Sequence, residues 1–214
     1  MENSIRFIVE RLLGRNLSAD DGVSITMIQD TEARLSVKIP ELLQTFYLCA
    51  GRNEQVMDVF QHFAPLDKLY VEDDKLVFLE ENQGVCVWGV SPAAPEKVYQ
   101  CPVPDKEWYA EDADLQAFLE MCLYYQFAQG GYNYMASLYS GIDDEMITVM
   151  LQDLATHWEK VVDQSNNLII YWSTDKLVWY FPDPQGGVGE SLFLSCRTET
   201  EMELMIDRYD FGEL

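Results

Sequence analysis

Residues 76–90, LVFLEENQGVCVWGV, constrain the fold of this chain more than any other stretch. Two apolar runs, 76–79 and 85–88, flank the polar segment Glu80-Glu81-Asn82-Gln83-Gly84. Short apolar runs around a glycine-bearing turn read as a strand hairpin, with Gly84 or Asn82 free to take positive φ. Both runs are apolar at odd and even positions alike, so neither face of the pair suits water. Such strands belong in mid-sheet, covered on both sides. The turn offers two carboxylates and two amides with no His, Ser or thiol beside them, a composition for binding and not for conversion.

The rest of the chain supplies helices before and after this hairpin. Ile5, Ile8, Val9, Leu12 and Leu13 recur at helical spacing, which predicts an amphipathic helix over 3–14. A second helix is expected over 26–36, and a third follows Pro40, whose missing N–H costs nothing in a first turn, and stops at Gly51. Short strands are expected at 68–71 and 98–100. Asp112 reads as the N-cap of a helix reaching about residue 128, with Gly130-Gly131 ending it. Beyond it, 142–156 reads as helix and 168–172, 177–181 and 191–196 as strands, the first two joined by Ser173-Thr174-Asp175-Lys176. Gly186-Gly187-Val188-Gly189 reads as a flexible turn. Thr198 and Glu201 have capping-box spacing and open a last helix. Strands cluster instead of alternating with helices, so the fold class is α+β with a largely antiparallel central sheet flanked by helices. The strand at 168–172 is too apolar to stand alone. One domain over 1–214 is therefore expected, with 132–214 a strand-rich extension of the same sheet.

Charge restricts the partners. The 214 residues carry 37 acidic against 14 basic side chains, a net charge of −23. Nucleic-acid phosphates and anionic membranes would repel such a chain. A basic protein partner would be drawn to it, although acidity also serves solubility. No apolar run approaches the roughly 20 residues needed to span a bilayer, and the N-terminus lacks the layout of a signal peptide. Five scattered cysteines without a CxxC fit a reducing, cytoplasmic setting.

No catalytic or metal-binding set emerges, and no cofactor is expected. His62 and His157 lack partners at metal-ligand spacing, and GxSxG, P-loop and GxGxxG motifs are absent from the sequence. The cluster Asp143-Asp144-Glu145 does not follow an EF-hand pattern. Adjacent carboxylates on a strand point to opposite faces, which spoils them as an acid/base couple. Taken together, Glu72, Asp73, Asp74, Glu80 and Glu81 form a candidate negative docking surface. Trp108 and Tyr109, set among charged neighbours, are its candidate aromatic anchor.

A resemblance joins these pieces. Glu32 through Ile39-Pro40, then Leu42-Leu43, Phe46-Tyr47 and Gly51, resembles the opening of the SUKH superfamily, the bacterial relatives of the fungal Smi/Knr cell-wall regulator. Phe78, Glu81-Asn82-Gln83 and Trp88-Gly89-Val90 look like that family's central strands. Trp108-Tyr109, Glu111, Leu115, Phe118-Leu119 and Gly130-Gly131 continue the match over residues 25–131. The resemblance implies an α+β fold without a catalytic site, over a core of 1–131. It also implies an immunity protein that binds and neutralises a cognate toxin. A regulatory or scaffold protein of the Smi/Knr type is the alternative.

Overall fold

The computed structural model describes residues 4–164 and 167–213; residue 3, the first of the expected opening helix, lies outside them. The fold is α+β, and the chain divides into two compact units, Met1–Leu123 and Tyr124–Leu214.

The first unit begins with four helices, α1 (Ser4–Leu13), α2 (Ile25–Leu35), α3 (Glu41–Ala50) and α4 (Glu54–Met57). Strands β1 (His62–Phe63), β2 (Tyr70–Glu72), β3 (Lys75–Glu80), β4 (Cys86–Ser91), β5 (Ala94–Pro102) and β6 (Tyr109–Asp114) follow, and α5 (Leu115–Gln126) crosses the unit boundary. The sheet runs β1-β3-β4-β5-β6, with β2 also pairing β3, and its pairings are antiparallel. The hairpin β3–β4 is thus central, as its two-faced apolarity requires.

Local chemistry explains the helix ends. The Ser24 hydroxyl accepts the Met27 N–H at 3.3 Å and caps α2, which ends at Ser36 in the left-handed region (φ 55). The buried carboxylate of Glu32 then accepts the Ile39 N–H at 3.0 Å and the Lys38 ammonium at 2.5 Å. A glutamate seven residues before the N–H of the residue preceding Pro40 therefore ties α2 to the start of α3. The physical content of the Glu32…Ile39-Pro40 pattern is this tie.

Asp21 does the same for the corner after α3. Its buried carboxylate accepts both guanidinium N–H groups of Arg15 (2.8 and 2.6 Å), the Ser18 N–H (2.8 Å) and the Asn53 amide (2.7 Å). Its carbonyl accepts the Arg52 N–H at 2.9 Å. The Arg15 hydrogen bonds hold the Asp21 carboxyl far below the usual carboxylate range, against the opposing effect of burial.

One expectation is overturned in this unit. Residues 109–114 form β6, not the first turns of a helix; the N-cap is Asp114, whose carboxylate accepts the Ala117 N–H at 2.9 Å. Asp112 falls within β6, where the register against β5 shifts between the Tyr99–Ala110 and Lys97–Asp114 pairs, because β5 offers an open partner that local capping preferences do not register. The side chains of Asn82 and Gln83 do not hold the β3–β4 turn. Glu81 does, accepting the Gln83 N–H at 2.7 Å, while Gly84 takes the positive φ of 70° and the Asn82 Oδ1 is buried without a partner among the described residues.

The second unit opens with a π-helical turn (Phe127–Gly131) and contains β7 (Tyr134–Tyr139), α6 (Asp144–His157), β8 (Glu159–Gln164), β9 (Leu168–Ser173), β10 (Lys176–Pro182), β11 (Val188–Cys196), α7 (Glu199–Tyr209) and β12 (Gly212–Glu213). These strands pair in the order β12-β7-β11-β10-β9-β8. The described residues of the expected extension therefore do not continue the first sheet; they build their own. Ile147, Met150 and Leu154 of α6 and Met202, Met205 and Tyr209 of α7 close a separate core over Val178, Leu192 and Leu194. The edge strand β6 carries Glu111, Asp112 and Asp114, charges that oppose further pairing.

The Thr198 hydroxyl caps α7 through the Glu201 N–H at 3.3 Å, but the Glu201 carboxylate does not close the box and instead pairs with Lys176. The glycine turn is closed by Asp183, which accepts the Gln185 and Gly187 N–H groups at 2.8 Å each; Val188 and Gly189 already belong to β11. All five cysteines are free and buried. Among the described residues, no helix is long and apolar enough to cross a membrane.

Removing the Asp21 carboxylate leaves five donors short of their acceptor, the Ser18 hydroxyl (3.0 Å) included. Asp21→Ala is expected to cost about 3 kcal/mol, read by denaturant titration at neutral pH. Folding lowers the Asp21 pKa, so its contribution is present above the unfolded-state value of about 4 and drains away as pH falls toward the folded-state value. The gap between wild type and Asp21→Ala should therefore shrink on acidification; a gap that stays constant from neutral pH to strong acid contradicts this role.

Candidate functional site

Strand register assembles a face. Tyr70 lies opposite Val77, Val77 opposite Gly89, and Gly89 opposite Tyr99; Glu80 lies opposite Val87, and Val87 opposite Cys101. Directly opposed residues share a side of the sheet, so these rows form one surface. Glu72 and Lys75 join it at one end. The other side packs on α5, where Phe118 meets Phe78 (ring centroids 6.2 Å apart) and Trp88 (5.9 Å).

The surface has an apolar floor under an aromatic roof. Val77, Val87 and Cys101 are buried there, with Trp108 packed across them. Gly89 makes room for the roof: a Cβ at that position would stand 3.2 Å from the Trp108 Cη2 and 3.0 Å from the Lys75 Cβ. Carboxylates surround the floor. Burial, then Glu72 and Glu80, push the Tyr70 hydroxyl pKa up. Burial, followed by Glu72, Asp73 and Asp105, raises the Cys101 thiol. Glu72 and Glu80, at opposite ends of the β2–β3 hairpin, thus both act on Tyr70.

The proposed docking residues meet different fates. Glu72, Asp73, Glu80 and Trp108 gather around this face. Asp73 and Asp74 form the two-residue β2–β3 turn, both with positive φ (46° and 56°). Asp74 is partly neutralised there by Lys75, at 3.7 Å, whose ammonium also lies 4.8 Å from the Tyr99 ring centroid. Glu81 is spent on its own turn. Tyr109 separates from Trp108: it pairs with Gln100, which pairs with Trp88, on the α5 side of the sheet. Its hydroxyl donates to Glu107 at 3.0 Å. Consecutive residues entering a strand face opposite ways, so the two aromatics do not form one anchor.

A cavity of about 670 Å³ adjoins the face, floored by Val77, Leu79 and Val87. Its walls carry Arg52, Glu54, Asp58, His62, Lys68 and Glu80. His62 Nδ1 lies 2.5 Å from Asp58 Oδ1, and among the described residues no group of three metal-ligating side chains forms. Of this lining, the sequence placed only Glu80 among the candidate docking residues. Arg52 and Lys68 escaped because they are isolated cations in loops, visible as a pair only once α3 and the β1–β2 connection are brought together.

No model of a known protein family matches the chain, and no curated protein sequence matches it.

Truncating the roof tests this description. Trp108→Ala should cost about 2 kcal/mol, below the range for fully buried tryptophan because Trp108 is half-buried. It should also open Cys101 to a thiol reagent under native conditions, detected as one newly labelled cysteine by mass spectrometry. Labelling that stays at the wild-type level would show that Trp108 is not the cover.

Proposed function

We propose that the chain is a protein-binding protein of the immunity type, which neutralises a cognate basic toxin domain by direct contact in a reducing compartment. The reading is carried by the outer face of the first sheet, where Glu72, Asp73 and Glu80 surround an apolar floor roofed by Trp108. A hydrophobic centre with a charged rim is the layout of a protein interface. The net charge of −23 extends the same preference over long range, since an opposite field raises encounter rates and disfavours acidic competitors. The resemblance of residues 25–131 to the SUKH superfamily supports the same class, as do five buried free thiols.

The test is co-expression with a basic toxin domain encoded beside the gene, scored by rescue of growth and recovery of a stable complex. Glu72→Lys with Glu80→Lys should slow association by about tenfold at low salt, with the difference narrowing as salt is added. Rescue by the double variant with an unchanged association rate would remove this face from the interface. Failure of the wild type to bind or protect would remove the immunity reading itself.

A further inference from the structure

The cations of this chain are scarce, and most are spent on visible partners. Eight of the fourteen pair with carboxylates. Arg34 serves the carbonyls of Leu66 and Leu69, and Arg11 lies over the Phe7 ring. Arg52, Lys68, Lys97 and Lys106 form no ion pair among the described residues. Two of these four, Arg52 and Lys68, line the same cavity. With 37 carboxylates in the chain, two cations left without an ion pair at one cavity set it apart from the rest of the surface.

Both cations are held from behind. The backbone of Arg52 is fixed by its N–H bond to the Asp21 carbonyl (2.9 Å), and its guanidinium donates to the Met27 sulfur at 3.3 Å. Lys68 sits on a turn closed by its own N–H to the Pro65 carbonyl (2.9 Å). Arg34 grips that turn from the other side, at 2.7 Å to Leu66 and 3.1 Å to Leu69. With both backbones preset, only side-chain freedom is lost when a ligand arrives. Below them lies the apolar floor of Val77, Leu79 and Val87.

We propose that this cavity is a binding site for a small amphipathic monoanion, a carboxylate on an apolar body, with the head group at Arg52 and Lys68 and the body on the strand floor. The volume lies within the usual range for small-molecule sites. The remaining wall residues set the charge of the ligand: Asp58 is engaged by His62, but Glu54 and Glu80 also line the cavity. They repel a doubly charged phosphate about twice as strongly as a monoanion, which favours a single negative charge.

The experiment is calorimetric titration of the intact chain with decanoate, its neutral analogue decanol, and decyl phosphate. Decanoate should bind with one-to-one stoichiometry and more tightly than either comparison ligand. Arg52→Gln and Lys68→Gln should each weaken decanoate by about tenfold, one charge-assisted hydrogen bond, and leave decanol unchanged. Lys97→Gln, which removes an unpaired cation outside the cavity, should have no effect. Both cavity positions are exposed, and unchanged thermal melts would confirm that the variants fold. No saturable decanoate binding, equal binding of decanoate and decanol, or wild-type affinity in the Arg52→Gln/Lys68→Gln double variant would each overturn the proposal.

Discussion

The hairpin β3–β4 must be kept from water on both faces, and the first unit is organised around that requirement. Leu76, Val77, Phe78 and Leu79 are each 2% exposed or less. One face is covered by helices, with Phe118 of α5 reaching both Phe78 and Trp88. The other face is covered from the β5–β6 connection. A single side chain from the β5–β6 connection, Trp108, folds back over Val77, Val87 and Cys101, and Gly89 leaves space for it. The cover is partial, and a concave apolar floor is left beside it. The candidate interface and the cavity both follow from that incomplete roof.

Charge is managed around this floor by local pairing and long-range excess together. Buried carboxylates are fully engaged: Asp21 by Arg15, Ser18 and Asn53, and Glu32 by Lys38 and Ile39. Such groups are costly to bury unless hydrogen-bonded, and they repay the cost by fixing one geometry for the corners they join. The remaining carboxylates are surface groups that shape the field. Lys75 tempers the acidic turn between β2 and β3, so the negative character falls mainly on Glu72, Asp73 and Glu80.

Elements with a strong local pattern were legible in the sequence. The amphipathic spacing of α1, the Thr198 cap of α7, the two-faced hairpin and the short β9–β10 connection all carry their cause within a few residues. Elements defined by a distant partner were not. Strand β6 reads locally as a helix start, and becomes a strand because β5 presents an open edge. Strands β7 and β8 lack a clean apolar alternation and exist because β11 and β9 pair with them. Of the docking residues, acid clustering was visible, but the separation of Trp108 from Tyr109 depends on which of them enters the strand.

The sequence by itself determined the α+β class, the central placement of residues 76–90 and the negative field, because periodicity, two-faced apolarity and net charge need no tertiary partner. Only the tertiary structure decided that residues 132–214 close a second sheet, that Trp108 roofs the first, and that Arg52 and Lys68 share a cavity. Each of these is a meeting of residues far apart in the chain, set by which edges remain free to pair and which apolar surfaces remain to be covered.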